Sequence, residues 1–222
     1  GGVIVLESLT PKISDSLYGK TIINGMSNGR GYNLISSWVR SFNSGIYLKA
    51  QGTLKKNGDY STPNYILSNT GNNEENLSVS IGRNKILRKL KINFSFFSQE
   101  IGILRSSHIG NVGDLLRAIE SKSPTVINPF SYEVNFPKQF NKHYTTSIEY
   151  SIRNNSNGKW ITKYNWQKNN RKEYDIRRGS DKYDPALNLT LDTHNLVSNY
   201  EWTNSVSYTH LRAHETKANR GW

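Results

Sequence analysis

The feature that most constrains this chain is a period-2 alternation of apolar and polar residues that recurs along most of its length. A step of two puts successive side chains on opposite faces of a strand. Ile46, Leu48 and Ala50 share one face while Tyr47, Lys49, Gln51 and Thr53 share the other. Leu77, Val79 and Ile81 oppose Ser78, Ser80 and Gly82, and Leu90, Ile92, Phe94 and Phe96 oppose Lys89, Lys91, Asn93 and Ser95. The pattern continues through Tyr144, Thr146, Ile148, Tyr150 and Ile152, then Trp160, Tyr164 and Trp166, then Leu187, Leu189 and Leu191, and finally Leu196, Tyr200 and Trp202. With two earlier stretches, 16 to 25 and 32 to 42, this predicts an all-β chain: an antiparallel up-and-down meander of about nine long strands, each of roughly 8 to 14 residues.

The connections alternate between short and long. Turns carry Asn43-Ser44-Gly45, Arg83-Asn84-Lys85, 154 to 158 and 193 to 195, whereas 57 to 76, 99 to 142 and 171 to 186 are long. The first connection, 24 to 31, is a shorter member of the long side. A meander places alternate connections at opposite ends of its sheet, so the long loops gather at one end. That asymmetry describes an outer-membrane barrel, with short periplasmic turns, long extracellular loops, an apolar lipid-facing side and a wet lumen. A soluble two-sheet sandwich also alternates. The alternative reading is therefore a soluble β-sheet carbohydrate-binding or adhesin module that stacks Tyr and Trp on sugars.

Composition narrows the classes. Of 222 residues, 35% are hydrophobic and 11% aromatic, against about 45 to 50% apolar in soluble domains. A chain short of aliphatics but rich in amphipathic rings builds surfaces more than a thick core. There is no Cys, which removes disulfides and thiolate metal sites. The longest aliphatic run, Val3 to Leu6, is far short of the roughly 20 residues of a membrane helix. The net charge of +12 admits nucleic acid, anionic lipid or an anionic ligand. Dispersed basic residues with no recognisable module argue against specific nucleic-acid binding. No nucleophile, base and acid order, paired carboxylates or metal-ligand spacing points to an enzyme, a metal site or a cofactor. His210 and His214 are four apart but lack a third ligand.

Several segments resemble the TonB-dependent outer-membrane receptors. Gly1-Gly2-Val3-Ile4-Val5 is similar to the end of that family's plug domain. Gly58-Asp59-Tyr60, Pro63-Asn64-Tyr65 and Asn69-Thr70-Gly71 resemble its second long loop and the returning strand. Glu100 to Leu104, His108 to Asn111 and Asp114-Leu115 resemble the start of its third loop, and Pro137-Lys138-Gln139 with His143 the return from it. Gln167, Asn170, Arg171, Glu173-Tyr174-Asp175 and Arg177-Arg178-Gly179 are similar to a strand running into its fourth loop. The resemblance implies an incomplete piece of a transmembrane barrel of about 22 strands around a plugged lumen. It divides the chain into 1–12, the end of the plug and linker; 13–204, the N-terminal part of the barrel; and 205–222, a tail without strand alternation that resembles translated adaptor read-through. The tail holds Arg212, Lys217 and Arg220 against Glu215, so leaving it out lowers the charge to +10.

The resemblance also implies location in the bacterial outer membrane, contact with its lipid, and coupling through the plug to a TonB-type energising complex. The expected role is active uptake of a scarce ligand. The basic cluster Arg171, Lys172, Arg177 and Arg178 with Tyr174 is suited to hard anionic oxygen donors, so a ferric siderophore or other iron chelate is the expected cargo. Arg105 and His108, in the longest loop, complete the candidate ligand-binding set of Arg105, His108, Arg171, Tyr174, Arg177 and Arg178. Lys89, Lys91 and Lys163 are expected on the lumen side, facing plug carboxylates. Residues 114 to 120 are expected to form a short helix whose Leu115, Leu116 and Ile119 pack within the loop.

Overall fold

The computed structural model describes residues 10–107, 111–154, 158–176 and 183–202. Its elements in chain order are β1 (Ser16–Met26), β2 (Gly31–Ser41), β3 (Ile46–Asn57), β4 (Tyr60–Ser61), β5 (Ile66–Leu67), β6 (Asn72–Asn84), β7 (Arg88–Gly102), α1 (Val112–Glu120), β8 (Lys138–Arg153), β9 (Gly158–Tyr174) and β10 (Leu187–Trp202). Eight of the strands form one sheet in the order β1-β2-β3-β6-β7-β8-β9-β10, with every neighbouring pair antiparallel. The small β4-β5 pair is a separate sheet inside the loop between β3 and β6. The chain is thus all-β and an up-and-down meander, as the alternation predicts. Its connections stay unequal: 42–45 and 85–87 close tight turns at one end, while 58–71 and 103–137 project from the other.

The main sheet has eight strands where the sequence suggests nine. The last two candidates are one strand: β10 runs unbroken from Leu187 to Trp202 with every residue paired to β9. The expected turn at Thr193 to Asn195 lies in its middle, opposite Gln167, Trp166 and Asn165. No Gly or Pro interrupts the strand there to break the ladder. What changes at this point is the face: Leu187, Leu189 and Leu191 are of one parity, and Leu196, Tyr200 and Trp202 of the other. A loss of phase in the hydrophobic pattern marks a change of side within a continuous strand.

One face of the sheet is polar and concave. A broad hollow on it is lined by Ser37, Gln51, Ser78, Asn93, Thr145 and Asn165 among others, drawn from six strands. The opposite face carries a band of Leu, Ile, Val, Phe, Tyr and Trp. Leu48, Ile81, Ile92 and Ile148 stand side by side in it, and all are exposed. Among the described residues the only buried hydrophobic is Tyr47, at 4% exposure. Layered soluble domains bury an apolar face against a second layer; among the described residues this sheet has no second layer on its apolar side.

The band is inclined to the hydrogen-bonding rows. Leu17, Arg40, Leu48, Ile81, Ile92, Ile148, Tyr164 and Leu196 form one cross-sheet row on the apolar face. Near β1 and β2 the apolar residues extend from that row toward the long loops, through Trp38, Leu34, Ile23 and Tyr32. Near β9 and β10 they extend the other way, through Trp160, Tyr200 and Trp202. The band slides by about one residue per strand step. With a rise of about 3.3 Å per residue and about 4.8 Å between strands, a level band would cross strands tilted by about 35°. Barrel strands are tilted by about 35 to 45°.

Within the sheet, aromatic rings lie over cross-strand glycines. Tyr47 covers Gly82, so closely that a Cβ there would sit 2.4 Å from the ring, and Trp38 covers Gly19 in the same way. A glycine opposite a ring leaves the space that the ring fills, which pins the register of the two strands.

Candidate functional site

Two regions bring chemistry together: the concave wall and a cap of loops beyond the long-loop end of the sheet. On the wall, Lys91, Glu149 and Lys163 are direct neighbours across β7, β8 and β9, and Lys163 pairs with Glu149 at 2.9 Å. Lys49 joins the same hollow. Lys89, Lys91 and Lys163 therefore share the polar face, where their strand parity puts them. The wall is lined by hydroxyls, amides and ammoniums, with Asn93 donating to Ser147 at 2.8 Å and Ser95 within 2.5 Å of Thr145. Such a surface suits a wet or polar occupant.

The cap is knitted by buried polar side chains. Asp59, 3% exposed, accepts from the backbone N–H of Thr70 at 2.9 Å and of Ser131 at 3.2 Å, while its own N–H donates to the Ser131 carbonyl. Asn69 adopts φ +64, a left-handed conformation that Asn tolerates better than most residues. From there its amide donates to the carbonyls of Ile103 and Pro137 at 2.9 and 2.7 Å, and its oxygen accepts from Asn135 N–H at 2.7 Å. One side chain thus clamps both ends of the 103–137 loop. Ser68 Oγ accepts from Asn128 N–H at 2.6 Å, and Phe130 lies over Gly58 with the Arg30 guanidinium 4.3 Å from its ring centroid. Tyr132 donates to the Arg30 carbonyl at 2.8 Å. Three loops, 27–30, 58–71 and 103–137, become one body.

Of the ligand-binding residues expected from sequence, His108, Arg177 and Arg178 lie outside the described residues. The other three do not converge. Arg105 donates to the Phe136 carbonyl at 3.1 Å, and its backbone N–H donates to Ser68, so it braces the long loop. Arg171 is on the concave face, held by Glu173 and, at 3.2 Å, by Gln139. Tyr174 is on the opposite face, its ring 5.6 Å from Phe136 and within 5.9 Å of Lys138 Nζ, and Lys138 in turn pairs with Glu100 at 2.7 Å. Odd and even positions of one strand cannot share a pocket, which separates Arg171 from Tyr174.

His194 sits within β10 on the apolar side, where its ring nitrogen is 2.8 Å from the Tyr164 hydroxyl, and not in a solvated turn. The predicted helix is α1, N-capped by Asn111, whose side chain accepts from Asp114 N–H. Its Val112, Leu115, Leu116 and Ile119 share one side at helical spacing and stay exposed, so they do not pack within the loop as expected. Asp59 and Asn69 fall in the Gly58-Asp59-Tyr60 and Asn69-Thr70-Gly71 segments noted in the sequence, but their clamping role, and that of Ser68, shows only in the structure.

No family model, curated protein or solved structure matches this chain. Among the described residues no helix is long and apolar enough to cross a membrane, and no cluster of His, Asp and Glu is placed to hold a metal ion.

Proposed function

We propose that the chain forms a stretch of the wall of an outer-membrane β-barrel of the TonB-dependent receptor type, in which the concave face lines a plugged lumen and the loop cap faces outward to receive ligand. The observation that carries this reading is the apolar band. It is continuous across eight strands, lacks a covering layer among the described residues, and is inclined as a level membrane would incline it across tilted strands. The long loops stand at one end only, which agrees. The cargo is an anionic iron chelate: Lys91, Lys163 and Arg171 give the wall and its rim a basic character suited to oxygen-rich anions or to an acidic plug. Energy for import comes from an inner-membrane partner acting through the plug.

The experiment is refolding of the chain in buffer and in phospholipid bilayers, followed by strand content and protease resistance. The membrane reading expects ordered, protected sheet only with lipid. A folded monomer in plain buffer overturns it and favours a soluble carbohydrate-binding sheet, for which the exposed Trp160, Tyr200 and Trp202 cluster offers a stacking surface. For cargo, equal binding of an iron-loaded and an iron-free chelator overturns the iron assignment.

A further inference from the structure

The apolar face does not end in bare polar surface at its long-loop edge. On β8 and β9 the rings Tyr144 and Trp166 are followed outward on the same face by Lys142 and Lys168, then by the paired Phe140 and Lys172, with Tyr174 beyond them. Lys142 stands directly opposite Asn170, and Lys168 and Lys172 flank Asn170 two residues to either side. Diagonal neighbours of this kind lie about 7 to 8 Å apart, so three ammonium groups surround one point on the face. None of the three is in an ion pair among the described residues. The nearby carboxylates are engaged: Asp192, opposite Lys168, accepts from the Trp166 indole at 2.9 Å and lies 3.6 Å from His194, and Glu100 is held by Lys138. Lys142 Nζ lies 5.1 Å from the Phe140 ring centroid, which keeps it on this side of the sheet.

We propose that Lys142, Lys168 and Lys172 form a site for the phosphate group of an anionic lipid, seated against the outer wall among the rings at the long-loop edge of the band. The proposal rests on the membrane reading above and adds a lipid class to it. Aromatic rings mark the headgroup level of a bilayer, and a cation cluster set among them meets lipid phosphates at their own depth. Lysines are suited to this as mobile point charges with several donors each, whereas a neutral zwitterionic headgroup offers no net charge to gather three of them.

The test is reconstitution of the full chain in dioleoylphosphatidylcholine bilayers doped with brominated phosphatidic acid or brominated phosphatidylcholine, with quenching of tryptophan fluorescence as the readout, since Trp166 borders the triangle. The expected result is stronger quenching by the phosphatidic acid, with the preference falling by about fivefold for each lysine removed in Lys142→Gln, Lys168→Gln and Lys172→Gln. The concave-face variants Lys89→Gln and Lys91→Gln should retain it. Equal quenching by the two lipids, or a preference that survives in the triple variant, overturns the site and leaves the membrane reading standing. No quenching by either lipid overturns both. Loss of the preference on adding inorganic phosphate reassigns the triangle to a soluble anion and overturns the lipid.

Discussion

In the sheet, backbone pairs with backbone and one parity of side chains is left bare; in the cap, side chains pair with backbone drawn from loops far apart in sequence. Among the described residues the sheet buries a single hydrophobic residue, Tyr47, whereas the cap buries Asp59, Ser68 and Asn69. Each arrangement satisfies the same obligation, because backbone N–H and C=O groups must find partners wherever water is excluded. The difference is in what each region requires from outside. The cap supplies its own hydrogen-bond partners from within the chain. The sheet carries an apolar face that only a hydrocarbon environment or a partner surface covers, which ties its stability to where it sits.

Substitutions that reverse these dependencies should separate the two regions. The largest effect is expected for Ile148→Arg, which puts a charge in the middle of the band; in bilayers it should cost about 2 to 4 kcal/mol. Ser147→Arg on the concave face should cost much less, both read as urea midpoints of refolding into vesicles. Comparable costs for the two would break the assignment of faces. Asn69→Ala removes three hydrogen bonds and should cost about 2 to 3 kcal/mol. Its signature is local: protease cuts within 103–137 with the strand content unchanged. Gly82→Val forces Tyr47 from its place and should cost about 1 to 3 kcal/mol, seen as a lower thermal midpoint with no new cleavage in the cap. The smallest effect belongs to Glu100→Gln, which breaks a partly exposed ion pair with Lys138 and should change stability by less than about 1 kcal/mol.

Most of the sheet was legible because alternation reports directly on which way a strand's side chains point. Leu90 to Phe96 and Tyr144 to Ile152 fall within β7 and β8 with the faces their spacing predicts. The strands extend farther than the alternation, since segments such as Asn72 to Asn76 and Asn141 to His143 are polar on both sides and give no periodic signal. The ninth strand failed for a related reason. Within β10 the apolar residues pass from one face to the other, and the sequence then shows two apolar runs out of phase, which look like two strands. The candidate site was less legible: Arg171 and Tyr174 are close in sequence, but their parity separates them, and Arg105 is spent on the Phe136 carbonyl. The Asn69 clamp depends on Ile103 and Pro137, contacts that no local pattern encodes.

The change of face within β10 has a consequence for how the wall is read by chemistry in solution. If single cysteines are walked along the strand and probed with a water-borne maleimide in bilayers, reactivity should alternate with a period of two from Trp202 toward Leu196, with Val197 and Asn199 labelled and their neighbours shielded. Past Thr193 the alternation should stop, with Asn188, Thr190 and Asp192 labelled as readily as Leu187, Leu189 and Leu191, because the outward face stands there in water. On the membrane reading proposed above, the position of that change is a ruler mark for the height at which this edge of the sheet leaves the hydrocarbon.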